Sequence, residues 1–368
     1  MEKIAGVKKI AVLRANAVGD FIFILPALAA LKAAYADAEI TLLARRWHAE
    51  FLEDRPGPVD RVVVIPHLPG LFDFPEGKEA DPRKVEEFFQ RMKEEKFDLA
   101  FQMHGGGKHS NPFVEKLGAR VTIGSRDIDA PPLARTIPYY RWQREVLRYL
   151  ELADLAGAKP VTVTPQIELT DRDLHEAEAF LPTDRRPFII LHPGSRDPRR
   201  RWPASSFART GDALARMGFH ILINGVTSER ELVAQVIELM QHPAQGMAQG
   251  LSLRGLSGLL SKSSLLVAND SGPLHLADAL CVTTVSLFWC SNYFTSGPTR
   301  CSGHYPLLSW RMNCPVCGKH CVYDSCDHKE SFIADISVDE VLSQCKRALE
   351  SDFSALQKDG SQPNLPSV

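Results

Sequence analysis

Four stretches of this chain are dense enough in charge, hydroxyl or thiol to do chemistry. The first is Asn269-Asp270-Ser271-Gly272-Pro273-Leu274-His275, which follows the apolar run Leu265-Leu266-Val267 and leads into an Ala- and Leu-rich stretch. A Ser-Gly-Pro turn between a buried strand and a helix lies where open α/β sheets bind ligands, and a helix N-terminus offers free N–H groups to phosphate. Asp270 and His275 add groups able to hold a ribose or a diphosphate. The second stretch is His192-Pro193-Gly194-Ser195-Arg196-Asp197-Pro198-Arg199-Arg200-Arg201-Trp202-Pro203, with four arginines within six residues. Arginine forks grip phosphate oxygens in pairs, so this is either an anion site or a solvated charge run. A related turn, Asn224-Gly225, is followed by Glu229, which either accepts from ribose hydroxyls or complements a helix dipole.

The third stretch is Asn16-Ala17-Val18-Gly19-Asp20, directly after the apolar run Ile10-Ala11-Val12-Leu13. Asp20 there is either a general base for a substrate hydroxyl or a helix cap. The fourth is Cys314-x2-Cys317-x3-Cys321-x4-Cys326. Four thiolates so close either hold a structural zinc or iron or are free thiols. Four cysteine ligands leave no open position, which disfavours a catalytic metal. Weaker signals are Asp127-x-Asp129 and Asp171-x-Asp173, neither of which follows a strand, His104 beside Gly105-Gly106-Gly107, and Arg45, Arg46 and His48, which could meet an anionic acceptor.

Strands alternating with helices must position these groups. Apolar runs predict strands at 9–14, 40–44, 61–65, 99–103, 188–191, 219–223, 265–267 and 284–288. Helical spacing predicts helices at 21–34, 85–95, 142–156, 202–217, 229–240 and 338–349. The alternation implies parallel sheets, and a Pro-rich stretch at 160–165 interrupts it. The expected organisation is an α/β chain of two doubly wound, Rossmann-like domains facing a cleft, spanning residues 1–163 and 164–350. The polar segment 351–368, with its prolines, is expected to be a disordered tail.

Composition narrows the function. A net charge of −2 argues against a general nucleic-acid binder. The longest apolar run, Phe21–Leu31, contains Pro26 and is too short to span a bilayer, and no signal peptide is evident. The expectation is a cytoplasmic protein. Neither G-x-G-x-x-G nor G-x-x-x-x-G-K-[ST] occurs, which argues against a dinucleotide oxidoreductase and a P-loop NTPase.

In order and spacing, the chain resembles the bacterial heptosyltransferases, glycosyltransferase family 9. The matching segments are Ile10–Arg14 to Gly19-Asp20 with Pro26-Ala27-Leu28, then Pro193-Gly194 to Arg200-Arg201-Trp202-Pro203, then Asn269-Asp270-Ser271-Gly272-Pro273-x-His275. The resemblance implies a GT-B fold with an acceptor-binding N-terminal half and a nucleotide-sugar-binding C-terminal half. It implies inverting, metal-independent transfer of heptose from ADP-heptose to a lipopolysaccharide core, needing no catalytic cofactor, with contact to the inner membrane surface. The family's catalytic Asp falls on Asp20. Its nucleotide-contacting residues fall on Asp270, Ser271, Gly272 and His275, its phosphate loop on Ser195 and Arg196, and its basic residue before Trp-Pro, commonly Lys, on Arg200. Glu229 is the expected ribose contact. Two alternatives remain: transfer from another nucleotide-sugar or to a protein acceptor, and a non-catalytic nucleotide-sugar-binding protein, which would have no use for a base at Asp20.

Overall fold

The computed structural model describes residues 1–71, 81–184, 186–248, 250–300 and 302–358. The chain divides into two compact units, Met1–Glu168 and Leu169–Val368. Each contains a six-stranded, wholly parallel sheet.

In the first unit the strands are β1 (Lys9–Leu13), β2 (Glu39–Ala44), β3 (Arg61–Val64), β4 (Leu99–Gln102), β5 (Val121–Arg126) and β6 (Arg135–Pro138), in the order β3-β2-β1-β4-β5-β6. In the second they are β7 (Phe188–His192), β8 (His220–Asn224), β9 (Gln245–Met247), β10 (Leu265–Asn269), β11 (Thr284–Trp289) and β12 (His304–Ser309). Their order, β9-β8-β7-β10-β11-β12, repeats that of the first unit. Both are the doubly wound order in which the chain reverses direction beside its first strand. The reversal falls between β1 and β4, and between β7 and β10. The central strands are apolar up to their last residue because helices cover both faces: β4, β7 and β10 are buried along their whole length and end in Gln102, His192 and Asn269.

Four strands escape the apolar-run criterion. β5 and β6 are mixed in polarity, β9 is three residues long, and β12 contains Pro306. β12 is an edge strand, where a residue without an N–H is tolerated. The helix expected over 21–34 is two, Val18–Ile22 and Leu25–Ala34. Pro26, which cannot donate to a preceding carbonyl, sits in the first turn of the second. The last helix runs Val338–Lys358, past the expected end at 349 and into the segment expected to be disordered. The rest of that expected tail, 359–368, lies outside the described residues. Among the described residues no helix is long and apolar enough to cross a membrane.

The first core joins β1 and β2 to a phenylalanine cluster, Phe88, Phe89, Phe97 and Phe113. The second packs Trp202 and Phe207 against β7, β10 and β11, and Trp202 Nε1 donates to Ile336 O at 2.8 Å.

Two buried histidines brace the first unit. His48 Nδ1 accepts the Arg45 N–H at 3.2 Å, and its ring stacks on Trp47 with centroids 3.5 Å apart. His104 Nδ1 accepts the Ala15 N–H at 3.2 Å, so its Nε2–H donates to Leu71 O at 2.7 Å. Burial, more than the nearby positive charges, lowers their pKa values to about 3 and about 4. His48 is therefore a neutral core residue, and cannot meet an anionic acceptor as a cation. Both values lie below the ordinary 6.5, so the unfolded chain takes up the protons first. Their stabilisation is complete above pH 6.5 and is lost as pH falls towards 4 and 3. Urea unfolding of the full chain should lose about 6 kcal/mol between pH 7 and pH 4 from these two groups. A stability that is flat from pH 7 to pH 5 would contradict their burial as neutral rings.

Candidate active site

The turn after β1 is organised by a residue the motifs did not single out. Arg14 is only 1 % exposed. Its Nε–H donates to Asp20 O at 2.8 Å and its Nη2 to Asp20 Oδ1 at 2.9 Å. Its Nη1 donates to Met103 O and Tyr149 Oη, each at 2.6 Å. The other Asp20 oxygen, Oδ2, accepts the Ala17 N–H at 3.1 Å. Asp20 is therefore not the cap residue itself. Ala17 occupies that position, and Asp20 reaches back to it from the first helical turn. The Asp20 side chain stays 34 % exposed, so its carboxylate is both held and reachable.

Behind Arg14, Tyr149 Oη donates to Glu145 Oε2 at 2.5 Å, and Glu145 also pairs with Arg148. Glu145 Oε2 lies 3.8 Å from Arg14 Nη2. Burial works against the Arg14 charge, but Tyr149, Asp20 and Glu145 outweigh it and its pKa sits above the ordinary value. The signal available in sequence was a charged residue ending an otherwise apolar strand, which must find a counter-charge.

In the second unit the sequence candidates converge on the strand reversal between β7 and β10. Asp270, just past β10, is 3 % exposed. Its Oδ2 accepts from Arg200 Nη1 at 2.9 Å, and its Oδ1 from His275 Nε2 at 3.0 Å and Ser296 Oγ at 3.4 Å. Burial alone would raise its pKa, yet His275 and then Arg200 hold it below the ordinary value. Ser195 Oγ donates to Asp270 O at 3.1 Å, and Arg201 Nε to Ser195 O at 2.8 Å. Asn269 joins the two loops: its Oδ1 accepts the Trp202 N–H at 3.1 Å, and its Nδ2 donates to Pro193 O at 2.8 Å. Ser271 caps the Gly272–Ala279 helix by position, with its Oγ turned to Asn269 O at 3.0 Å.

Glu229 Oε2 accepts the Val226 N–H at 3.0 Å. A β-carbon placed on Gly194 would fall 2.2 Å from Glu229 Oε1, so only glycine lets this carboxylate lie against the β7 loop. Ser195, Arg200, Asp270 and His275 thus form one bonded group, with Ser271, Gly272 and Glu229 beside it. Arg199 is paired with Asp197 at 2.7 Å, and Arg196 is exposed and outside the group. Asn269 and Ser296 are the members the motif reading did not assign. Arg200 commits one Nη1 bond to Asp270, and a guanidinium has five N–H donors, so its fork can still receive an anion.

The cysteine stretch folds into a tight hairpin closed by an Asn313–His320 bridge. Cys314 N–H donates to Lys319 O at 2.8 Å, and Val316 N–H points at Cys314 Sγ at 3.5 Å. The Sγ atoms of Cys314, Cys317 and Cys326 and a ring nitrogen of His328 lie within 4.8 Å of one another. This grouping differs from the expected four-cysteine set in that it includes His328 and not Cys321. The Cys321 backbone is pinned to Met312 O at 2.9 Å, and its thiol faces Lys319 O at 3.3 Å within the apolar core. It still approaches Cys326 Sγ to 3.7 Å.

The model of glycosyltransferase family 9 (heptosyltransferase) matches residues 85–307. The chain is similar to lipopolysaccharide heptosyltransferase 2 of Salmonella typhimurium, 24% identical over 295 residues, which covers 76% of this chain and 82% of that protein. Its fold is that of the Escherichia coli ADP-heptose lipopolysaccharide heptosyltransferase II, with a TM-score of 0.74 at 19% identity, over 94% of this chain and 99% of the other. A more distant likeness is to TibC, an iron-containing dodecameric glycosyltransferase of enterotoxigenic E. coli, with a TM-score of 0.53 at 11% identity, over 95% of this chain and 78% of the other. With two parallel sheets of the doubly wound order and the Asp20 and Asp270 groups at their strand reversals, the chain belongs to glycosyltransferase family 9 and is a glycosyltransferase.

Proposed function

We propose that this protein transfers heptose from ADP-heptose to the core of a lipopolysaccharide, with inversion at the anomeric carbon and no metal in the reaction. The observation that carries the reading is the Arg200–Asp270–His275 group at the β7/β10 reversal, a cation held in place by a buried carboxylate where doubly wound sheets bind nucleotides. The second unit, expected from residue 164 onward, takes the donor. Ser195, Arg196, Arg200, Ser271 and Gly272 serve the diphosphate, His275 and Asp270 steady that grip, and Glu229 meets the ribose. The first unit, expected as residues 1–163, takes the acceptor.

In this mechanism Asp20 removes the proton from an acceptor hydroxyl. The oxygen attacks the anomeric carbon on the face opposite the diphosphate, and the bond from that carbon to the phosphate oxygen breaks. The charge that develops on the leaving ADP is met by Arg200 and the N–H groups that open the Gly272–Ala279 helix, as preorganised donors do at other developing anions. The two Asp-x-Asp pairs have other duties. Asp173 caps a helix with Thr170 and faces Arg254, and Asp129 pairs with Lys108 at 2.8 Å. The protein works in the cytoplasm, peripheral to the inner membrane, where a lipid-anchored acceptor is presented.

The donor is tested by thermal shift and nucleotide release with a panel of ADP- and UDP-sugars. ADP-heptose should stabilise the full chain and be turned over with a core acceptor. Stabilisation by UDP-sugars alone would overturn the donor, and tight ADP-heptose binding without turnover on any glycan or protein acceptor would favour a binding protein.

A structural zinc or iron fits Cys314, Cys317, Cys326 and His328. Three thiols and an imidazole are a tetrahedral donor set, and the enclosed His328 Nδ1 has no hydrogen-bond partner among the described residues. Bound there, the ion would cross-link the hairpin to the following segment. Elemental analysis of protein kept reduced should find about one equivalent of metal, and His328→Ala should lower it. Full loading of His328→Ala alongside loss in Cys321→Ser would restore the four-cysteine set.

A further inference from the structure

We propose that Arg14 is a positioning residue that orients Asp20 for proton abstraction, and that Tyr149 and Glu145 hold Arg14 in place to do so. The proposal rests on Asp20 being the base. A buried guanidinium is costly unless its donors are used, and two of the four hydrogen bonds that Arg14 makes go to Asp20. Two of its bonds go to Asp20, one to the backbone oxygen and one to Oδ1, while the Ala17 N–H takes Oδ2. One hydrogen bond on each oxygen, from two sides, fixes the plane of the carboxylate, and the third holds the Asp20 backbone. Each carboxylate oxygen has a second lone pair free, and the side chain's exposure leaves those lone pairs for a substrate hydroxyl.

The opposite end of Arg14 is anchored to Met103 O, at the end of β4, and to Tyr149, which passes the grip on to Glu145. Arg14 therefore spans the strand reversal between β1 and β4. It cannot turn away from Asp20 without also giving up its bonds to Met103 O and Tyr149 Oη.

The charges around Asp20 also balance. Arg14 and Arg148 face Asp20 and Glu145, while Tyr149, His104 and His48 stand nearby as neutral groups. Too strong a cation on Asp20 would make it a poor base, because a general base works best with its proton affinity near the operating pH. Glu145 Oε2 lies 3.8 Å from the same Nη2 that binds Asp20, so the two carboxylates share one guanidinium. Arg14 therefore orients the base while its charge is shared between Asp20 and Glu145.

The test is the pH profile of kcat for full-length wild type, Arg14→Met, Arg14→Lys and Glu145→Gln, with KM for the donor and ADP affinity measured alongside. Arg14→Met should lower kcat by about 100-fold or more, with donor KM and ADP affinity within about threefold of wild type because the donor group is elsewhere. Arg14→Lys should recover part of kcat. Removing the cation raises the proton affinity of Asp20, so the acid limb should move up by about one pH unit in Arg14→Met and less in Arg14→Lys. Glu145→Gln should move the limb down. If Arg14→Met does not fold, the opposite shifts of Arg14→Lys and Glu145→Gln carry the test. An acid limb unmoved in both would overturn the role of Arg14. If Asp20→Asn is inactive while those limbs stay fixed, only this proposal fails. If Asp20→Asn is active, the base assignment fails first.

Discussion

Asp20→Asn is expected to lower kcat by about three orders of magnitude and to leave ADP affinity almost unchanged. General-base removal by a positioned side chain is worth about 10²–10⁴ in rate, and an amide keeps the shape of the carboxylate but cannot take the proton. The amide also carries a donor where Oδ1 or Oδ2 now accepts, so one of the Arg14 and Ala17 bonds becomes a clash of donors. Asp20→Glu would keep the charge but move it by a methylene, away from the point that the Arg14 and Ala17 bonds to the two oxygens define. It should recover little. Single-turnover transfer, with ADP affinity measured separately, distinguishes the two roles. Near-normal transfer in Asp20→Asn would make the carboxylate a structural element of the helix start.

Arg200→Met is expected to have the second-largest effect, about 10²–10³ in kcat/KM, because a preorganised charge facing a developing oxyanion is worth that much in other enzymes. Arg200→Lys should fall between, since an ammonium keeps the charge and loses the fork. The stability effect is separate and can be predicted too. Asp270 is buried and would keep the His275 ring as its hydrogen-bond partner. Breaking one side of a buried ion pair costs about 3–5 kcal/mol. Arg200→Met should therefore also lower the unfolding free energy, and adding Asp270→Asn should restore part of that stability without restoring activity. If the double variant regains both, Arg200 is only the counter-ion of Asp270. If Arg200→Met retains wild-type kcat/KM, the diphosphate is held by other groups.

Much of the architecture was legible because the central strands are buried on both faces. Ile10–Leu13, Phe188–Leu191 and Leu265–Val267 are continuous apolar runs for that reason, and the turns that follow them carry the candidate groups. Of the edge strands only β3, with its Val62-Val63-Val64 run, was legible, since half-exposed segments such as Arg135–Pro138 and His304–Ser309 have no such run. At the site, Asp270, His275, Ser195 and Arg200 could be named from residue type and place. Their mutual bonds could not, because 70 residues separate Arg200 from Asp270. Arg14 was passed over for the same reason: its partner Tyr149 is 135 residues away. In the thiol cluster, spacing alone favoured Cys321, and His328, with no place in the cysteine spacing, could be seen beside the thiols only in the fold. His104 and His48, by contrast, are buried and neutral, as histidines packed among apolar residues commonly are.

The Asn269 side chain, which bonds to the backbone on both flanks of the arginine loop, changes when that loop loses its freedom. A loop of this length left to itself would sample many shapes and surrender them each time a ligand arrived. Here the surrender is made once, as the polypeptide folds, and the arriving nucleotide meets a surface already in its final form. Association should therefore involve little disorder-to-order change in this region, and the rate at which product escapes should depend on the strength of the contacts themselves rather than on a gate that must open.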